Sequence, residues 1–221
     1  MKSGNVHHEM QFSGGNIYAH QWVRVPKSLV VVEDVFSTEN LHTTGRLYFA
    51  YIDFVTSILT KSHYLPPEAM IKTRWTNNIL LWFSGIWASV TERESRLIME
   101  VHKGALVHKN HYDEGEFSLR YQLQEKAGSD FIEFHVELKN FYSRFRGEKP
   151  RDRRRYLLYR MTQGAVHRHV TVSFAKRIAS LLQNSEAPLK KLFGVSDETF
   201  LFWEDSQQVP EGQTLVNSPS S

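Results

Sequence analysis

Two neighbouring segments in the middle of the chain alternate apolar and polar residues over lengths typical of β-strands. The apolar positions are Phe117, Leu119, Tyr121 and Leu123 in the first segment, and Ile132, Phe134, Val136 and Leu138 in the second. The intervening positions of the second segment are Glu133, His135, Glu137 and Lys139. Because successive side chains of a strand point to opposite faces, the short turn between the segments predicts an antiparallel hairpin with one solvated face.

Further short strands are predicted on both sides of this hairpin, because turn-forming clusters separate the apolar and β-branched runs. The predicted strands cover residues 20–25, 29–35, 97–102, 105–109, 116–124, 130–142, 156–161 and 166–172. Residues 69–90 fit either a helix or a hairpin that turns at Asn77 and Asn78. Their aromatic and β-branched content favours strands from Ile79 onward.

Two helices complete the prediction. The sequence GRLYFAYIDFVTSILTK has a wide apolar stripe at helical spacing, which predicts a long packed helix at about 44–61, with Thr43 or Thr44 as its cap. Apolar residues at helical spacing from Phe174 predict a second helix at about 173–184. The fold class is therefore α+β: a curved antiparallel sheet with one long packed helix and a second helix near the C-terminus.

Composition divides the chain into three predicted parts. Residues 1–17 are polar and glycine-containing, so we expect a mobile arm; residues 18–204 form a single α+β domain; and residues 205–221 lack apolar periodicity and form a disordered tail. The chain has no cysteine, and its N-terminus lacks the apolar core of a signal peptide. We expect an intracellular protein of the cytoplasm, a membrane surface or a virion.

The strongest functional signal is a basic segment at residues 144–160. Between Phe141 and Arg160 there are eight basic residues and two acidic ones, a net charge of 8 − 2 = +6 in a chain whose formal net charge is +3. Clustered guanidinium groups release counterions from polyanions and bind phosphates in pairs. The alternative is a solvated linker between two strands. The predicted polyanion-binding residues are Arg144, Arg146, Lys149, Arg151, Arg153, Arg154, Arg155 and Arg160.

Histidines provide a second, weaker signal. His167 and His169 are two residues apart in a predicted strand, and His135 lies on the polar face of another. Three imidazoles from neighbouring strands are one way to hold a zinc ion. The nearby basic segment would repel a cation, so unliganded surface histidines are the favoured interpretation. No nucleophile-elbow or P-loop motif is present. We therefore expect no enzyme activity and no cofactor.

One family resemblance follows from the order of elements. A polar arm precedes the strand-like SLVVVEDV, the helix GRLYFAYIDFVTSILTK, a proline-containing loop and an antiparallel sheet that includes DFIEFHVELKNF. This pattern, over residues 28–140, resembles a matrix protein of the rhabdovirus type. It departs from that family in lacking a lysine cluster in the arm and a P-P-x-Y motif. The resemblance implies self-association, binding to an anionic membrane and contact with a nucleocapsid.

Two functional hypotheses follow. The first is a non-enzymatic interaction protein, of the viral matrix or accessory type, whose basic segment binds RNA, a ribonucleoprotein or an anionic membrane. The second is a ligand-binding or enzymatic module with an apolar cavity between the sheet and the long helix, lined by Trp75, Trp82, Trp87 and Tyr121. A solid core would favour the first hypothesis, and a large internal cavity would favour the second.

Overall fold

The computed structural model of the protein describes residues 6–13, 15–30, 35–126, 129–145, 153–161 and 163–183. Eight strands form one antiparallel sheet in the order β1-β2-β8-β7-β6-β5-β4-β3. The strands are β1 (His7–Ser13), β2 (Asn16–Pro26), β3 (Thr60–Leu65), β4 (Glu68–Thr73), β5 (Ile79–Val90), β6 (Glu94–Lys103), β7 (Gly115–Lys126) and β8 (Ser129–Tyr142). The helices are α1 (Thr38–Val55), α2 (Arg153–Met161) and α3 (Gln163–Gln183). The predicted α+β class, with a curved antiparallel sheet and two packed helices, is confirmed.

Helices α1 and α3 pack on the same face of the sheet, which we call the inner face. The Tyr48 ring of α1 lies 4.8 Å from the Phe117 ring of β7 and 5.1 Å from the Phe174 ring of α3. Phe174 in turn lies 6.0 Å from Phe134 of β8. Gly45 allows α1 to approach closely, because a Cβ atom there would be 2.7 Å from Leu97 Cδ2.

The bounds of α1 differ from the prediction. The helix begins six residues earlier than residue 44 and ends at Val55, and Ser37 caps it by accepting a hydrogen bond from the backbone N of Asn40 at 3.1 Å. Neither Thr43 nor Thr44 is the cap. Ile58 and Leu59 continue the apolar pattern beyond the helix but are 72% and 65% exposed, and β3 begins at Thr60. Apolar periodicity alone does not locate a helix end.

The C-terminal helix is longer than predicted, and the predicted strand at 166–172 is wrong. These residues belong to α3, whose buried side includes Val170, Phe174 and Ile178 at a spacing of four residues. The alternating valines that indicated a strand do not share one environment, since Val166 is 50% exposed whereas Val170 is buried. Packing of the four-residue stripe on the sheet outweighs the β-propensity of valine.

Three other boundaries also differ. Residues 7–13, assigned to a mobile arm, form β1, which pairs with β2 from His7↔Trp22 to Ser13↔Asn16. Residues 105–109 make a single bridge, Val107 to Ser143, and lead into a 3-10 turn instead of forming a strand. The predicted strand at 29–35 begins in the 3-10 turn Lys27–Leu29, and residues 31–34 lie outside the described chain. The predicted tail at 205–221 is also outside it.

The β-strands of the middle region agree with their prediction. Strands β7 and β8 pair through Leu119↔Val136, so the predicted hairpin is confirmed. Residues 69–90 adopt the strand alternative, and the β4–β5 hairpin turns at Asn77, whose φ is 56°. Left-handed backbone of this kind suits asparagine in a tight turn.

The polar face of β8 is less solvated than predicted. Glu133, His135 and Glu137 are only 6%, 5% and 8% exposed. Side chains of β2 cover this outer face: the Tyr18 hydroxyl donates to Glu137 at 2.9 Å, and the His20 ring stacks on the His135 ring. Long side chains on adjacent strands therefore bury one another.

Candidate functional site

A cavity of about 560 Å³ lies between the inner face of the sheet and the helices. Its size falls within the range typical of small-molecule sites. Helix α1 contributes Tyr48 and Ile52, and α3 contributes Gln163, Val166, His167 and Val170. Other apolar lining residues come from the strands, from the turns and from α2: Leu59, Ile71, Trp75, Leu80, Leu81, Phe83, Val101, Leu106, Phe117, Leu138, Phe141, Phe145 and Tyr159.

The polar groups in this lining are mostly engaged with one another. The Thr56 hydroxyl donates to Ile52 O at 2.6 Å and also contacts the Thr60 hydroxyl. The Thr73 and Thr76 hydroxyls lie 2.5 Å apart. The amide oxygen of Gln163 accepts a hydrogen bond from Ser143 Oγ at 2.6 Å. The wall therefore offers an incoming molecule mainly apolar contacts.

His167 differs from these engaged groups. Its Nε2 atom is buried and has no hydrogen-bond partner within the described part of the chain. Burial, with a smaller contribution from His8, lowers the pKa of His167 to about 4. The imidazole is therefore neutral near pH 7, and its unpaired nitrogen lies beneath the surface of the cavity wall. A buried polar atom without a partner is unfavourable unless a bound molecule supplies one.

One end of the cavity opens to solvent through apolar residues. Among the lining residues, Trp75 is 79%, Leu59 65%, Val166 50% and Phe145 38% exposed. The opposite parts of the wall are closed, since Val101 and Phe117 are buried. The cavity is thus a pocket with a mouth formed where α1 ends, where β4 turns into β5, and where β8 ends.

The four residues predicted to line an apolar cavity have different positions. Trp75 lines the mouth. Tyr121 is buried on the inner face, where its hydroxyl lies 2.9 Å from the Thr44 hydroxyl, but it is not part of the cavity wall. Trp82 packs against His102 at 4.8 Å, and Trp87 is 42% exposed. Sequence reasoning missed Leu59, Phe145 and Val166, because these mouth residues come from separate elements and share no spacing pattern.

The predicted basic segment is only partly a loop, and the strand predicted at 156–161 is wrong because these residues belong to helix α2. Arg144 follows β8 and is exposed, whereas Arg153, Arg154, Arg155 and Arg160 belong to α2. Arg146, Lys149 and Arg151 lie outside the described residues. Between Arg153 and Gln183 the chain contains seven basic residues and no acidic one. The positive charge therefore extends along both helices beyond the predicted segment.

Part of this charge lines a second, more polar groove of about 770 Å³ between β1 and the helices α2 and α3. Arg160, Arg168 and Lys176 contribute its cationic side chains, with His8 and His169 beside them. Met10 and Phe12 of β1 supply apolar surface. The groove suits an anionic group better than the main cavity does.

The three histidines considered as metal ligands are not brought together. His135 lies on the outer face, where its Nδ1 is 2.9 Å from His20 Nε2, whereas His167 and His169 lie on α3 at the inner face. Burial first, and then Arg120, His20 and Arg24, lower the pKa of His135 to about 3. In the described ranges no group of three or more histidine, aspartate or glutamate side chains is placed to hold a metal ion.

Comparisons with known proteins give likenesses at the level of structure only. No protein-family model matched the chain, and no curated protein sequence matched it significantly. Protein Ms6760 from Mycobacterium smegmatis is 9% identical, with a TM-score of 0.38 over 82% of this chain and 100% of that one. Protein EF2215 from Enterococcus faecalis is 10% identical, with a TM-score of 0.32 over 91% and 92%. The lipid transfer and protein localization domain of human StarD13 is 10% identical, with a TM-score of 0.34 over 83% and 87%.

Proposed function

We propose that this protein binds a predominantly apolar small molecule of lipid-like chemistry in the cavity between the sheet and the helices. The observation that carries the proposal is the cavity itself, with about 560 Å³ enclosed by aliphatic and aromatic side chains and reached through an apolar mouth. Transfer of apolar surface from water into such a site provides the driving force. Of the two hypotheses from the sequence, a large internal cavity favours the ligand-binding module.

The ligand has one polar group in this proposal. The unpaired His167 Nε2 atom lies just behind the cavity surface, and a turn of the ring towards the cavity would offer it to a ligand hydroxyl or carbonyl. Because the pKa of His167 is lowered to about 4, the imidazole is uncharged near pH 7 and does not select a carboxylate by charge. A mostly apolar molecule with one neutral polar end therefore fits the wall better than a charged metabolite.

The test uses N-phenyl-1-naphthylamine, a neutral apolar probe whose fluorescence rises in apolar surroundings. Wild-type protein should bind the probe saturably, and long-chain alcohols should displace it. Val170→Trp places a large ring in the cavity from α3 and should weaken probe binding about tenfold or more, since it occupies volume that the probe needs. Val90→Trp makes the same change at an exposed position at the end of β5 and should leave binding unchanged.

Both variants should be checked by circular dichroism and thermal unfolding before binding is compared. Absence of saturable binding in the wild type would contradict the proposal. Equal binding by wild type and a folded Val170→Trp variant would place the probe outside this cavity. Organic extraction of freshly purified protein, followed by mass spectrometry, identifies any lipid that purifies with it.

A second candidate function, binding of RNA through the basic helices, is favoured by a separate observation. Helices α2 and α3 carry seven basic residues and no acidic residue, and Arg160, Arg168 and Lys176 line an open groove. In the described chain no ion pair joins these three side chains to a carboxylate. Unpaired, clustered cations are available to phosphates.

The RNA candidate is tested by salt dependence. Arg160→Ala, Arg168→Ala and Lys176→Ala together should weaken binding to single-stranded RNA and lower the slope of log affinity against log salt by roughly one unit per lost phosphate contact. Arg93→Ala, Lys109→Ala and Lys126→Ala together are the control, since they remove the same charge outside the groove. Wild-type protein that does not bind RNA at low salt would rule out this candidate.

A further inference from the structure

The mouth of the cavity is surrounded by exposed apolar side chains, a set that we call the mouth patch. It consists of Ile58, Leu59, Trp75, Phe145 and Val166, with exposed fractions between 38% and 79%. Four of the five also line the cavity, and Ile58 is adjacent to Leu59 in the chain. Several exposed apolar side chains at the opening of one cavity are typical of a contact site for a protein or a membrane.

Two hydrogen bonds connect the chain segments that carry the centre of the mouth patch. Trp75 Nε1 donates a hydrogen bond to Ile58 O at 3.1 Å, and Arg74 N donates to Leu59 O at 2.9 Å. These bonds join the segment after α1 to the turn between β4 and β5. The indole N–H is satisfied within the protein, so the exposed indole ring presents apolar surface outward.

Basic side chains adjoin the mouth patch. Arg74 and Arg144 precede Trp75 and Phe145 in the chain, and both are exposed. Lys61 and Lys72 are direct cross-strand partners in β3 and β4, on the face of the sheet opposite the cavity-lining Thr60, Ile71 and Thr73. Between Phe54 and Thr91 the single acidic residue is Glu68, which pairs with Leu65 at the other end of the β3–β4 hairpin.

We propose that the mouth patch docks on the surface of an anionic phospholipid bilayer, so that the cavity opens directly into the lipid phase. The proposal rests on the proposed binding of an apolar ligand and names the surface from which that ligand is exchanged. Tryptophan, phenylalanine and aliphatic side chains partition into the interface, while lysine and arginine reach the headgroup phosphates. An apolar passage that continues from the mouth into the cavity fits a bilayer better than it fits a folded acidic protein.

The first experiment measures co-sedimentation with vesicles of phosphatidylcholine alone and of phosphatidylcholine mixed with phosphatidylserine. Wild-type protein should bind the mixed vesicles, bind the neutral ones much less, and lose binding as salt is raised. Arg74→Glu with Arg144→Glu reverses two exposed charges beside the mouth and should weaken binding to mixed vesicles about tenfold or more. Arg93→Glu with Lys126→Glu makes the same change in net charge at exposed positions away from the mouth and should weaken it far less.

The second experiment separates membrane docking from ligand binding. Ile58→Ser removes an exposed apolar side chain that does not line the cavity, so probe affinity in solution should be unchanged while vesicle binding falls severalfold. Val90→Ser is the matched control, since Val90 is 39% exposed at the end of β5 that lies away from the mouth.

The outcomes of the two experiments are distinguishable. Probe binding without any vesicle binding would overturn the docking proposal and leave the proposed function intact. Vesicle binding that Ile58→Ser and the double charge reversal leave unchanged would also overturn it, because the contact would then lie elsewhere, for example on α2 and α3. Vesicle binding weakened by the mouth variants, but without probe binding, would support the docking surface and refute the proposed function.

Discussion

At the scale of single residues, His135 is a histidine on the outer face of the sheet that is only 5% exposed and lies against His20 of β2. Its position on the polar side of an alternating strand was predicted correctly, because the two-residue period of a strand is a local property. Its burial was not predictable, because the covering residues His20 and Trp22 belong to a strand about 110 residues earlier in the sequence. The alternation of apolar and polar residues assigns a side chain to one face of the sheet. Pairing with strands distant in sequence then decides how exposed that side chain is.

This burial predicts how stability depends on pH. His135 has a pKa of about 3 in the folded protein, well below its ordinary value of 6.5. Below pH 6.5 the unfolded chain therefore binds a proton that the folded chain does not, and stability falls as the pH decreases towards 3. The loss approaches about 1.4 kcal/mol per pH unit for this group. His135→Gln should give a shallower dependence in urea unfolding measured across this range.

The quantity to compare is the slope of the free energy of unfolding against pH. The absolute free energy is not suitable, since removing His135 also removes its contact with His20. His20, whose pKa burial also lowers, keeps part of the slope in the variant. Identical slopes for wild type and His135→Gln would mean that the folded protein protonates His135 at its ordinary pKa.

At the scale of elements, the strands were easier to predict than the helix ends. Strands β7 and β8 were found with their partners, because alternation and a short turn specify both existence and pairing. The segment at 166–172 fits both a two-residue and a four-residue period, and only its packing against the sheet selects the helix. Likewise, Ile58 and Leu59 extend the apolar stripe of α1, although they lie at the cavity mouth.

The position of the α1 cap gives a prediction at this scale. Ser37→Ala removes the side-chain oxygen that accepts from Asn40 N and should lower the free energy of unfolding by about 1 kcal/mol. Ser37→Asp keeps an acceptor and should recover most of the loss. Thr43→Ala, at a position that the sequence suggested as the cap, should change stability by less than about 0.5 kcal/mol. Urea unfolding of the three variants measures the differences, and a larger loss in Thr43→Ala would contradict the observed helix start.

At the scale of the whole molecule, the cavity was foreseen only as one of two alternatives. The sequence predicted an apolar face on the helix and an apolar face on the sheet. Whether a cavity remains between these two faces depends on the curvature of the sheet and on the side-chain volumes along the entire interface. The tryptophans were poor guides to the wall, since Trp82 and Trp87 pack elsewhere. The mouth residues become neighbours only through the completed fold.

An occupied cavity should make the whole molecule more stable. A ligand present at 100 times its dissociation constant adds about 2.7 kcal/mol, which for a chain of this size corresponds to a rise of roughly 5–10 °C in Tm. Differential scanning fluorimetry can compare wild type and Val170→Trp with a long-chain alcohol that displaces the probe. The variant should show little of the rise, and an equal rise in both would indicate stabilisation from another site.

The strand order has a consequence for how the chain is made. Strand β2 pairs with β8 on the side away from β1, yet about 100 residues separate Pro26 from Ser129. At roughly 5–20 residues per second on the ribosome, the β1–β2 hairpin waits about 5–20 seconds for that partner. During this interval the exposed edge of β2 is open to other extended chains. We expect chaperones to bind this edge until β8 leaves the exit tunnel, and a translational pause before β8 would prolong that interval.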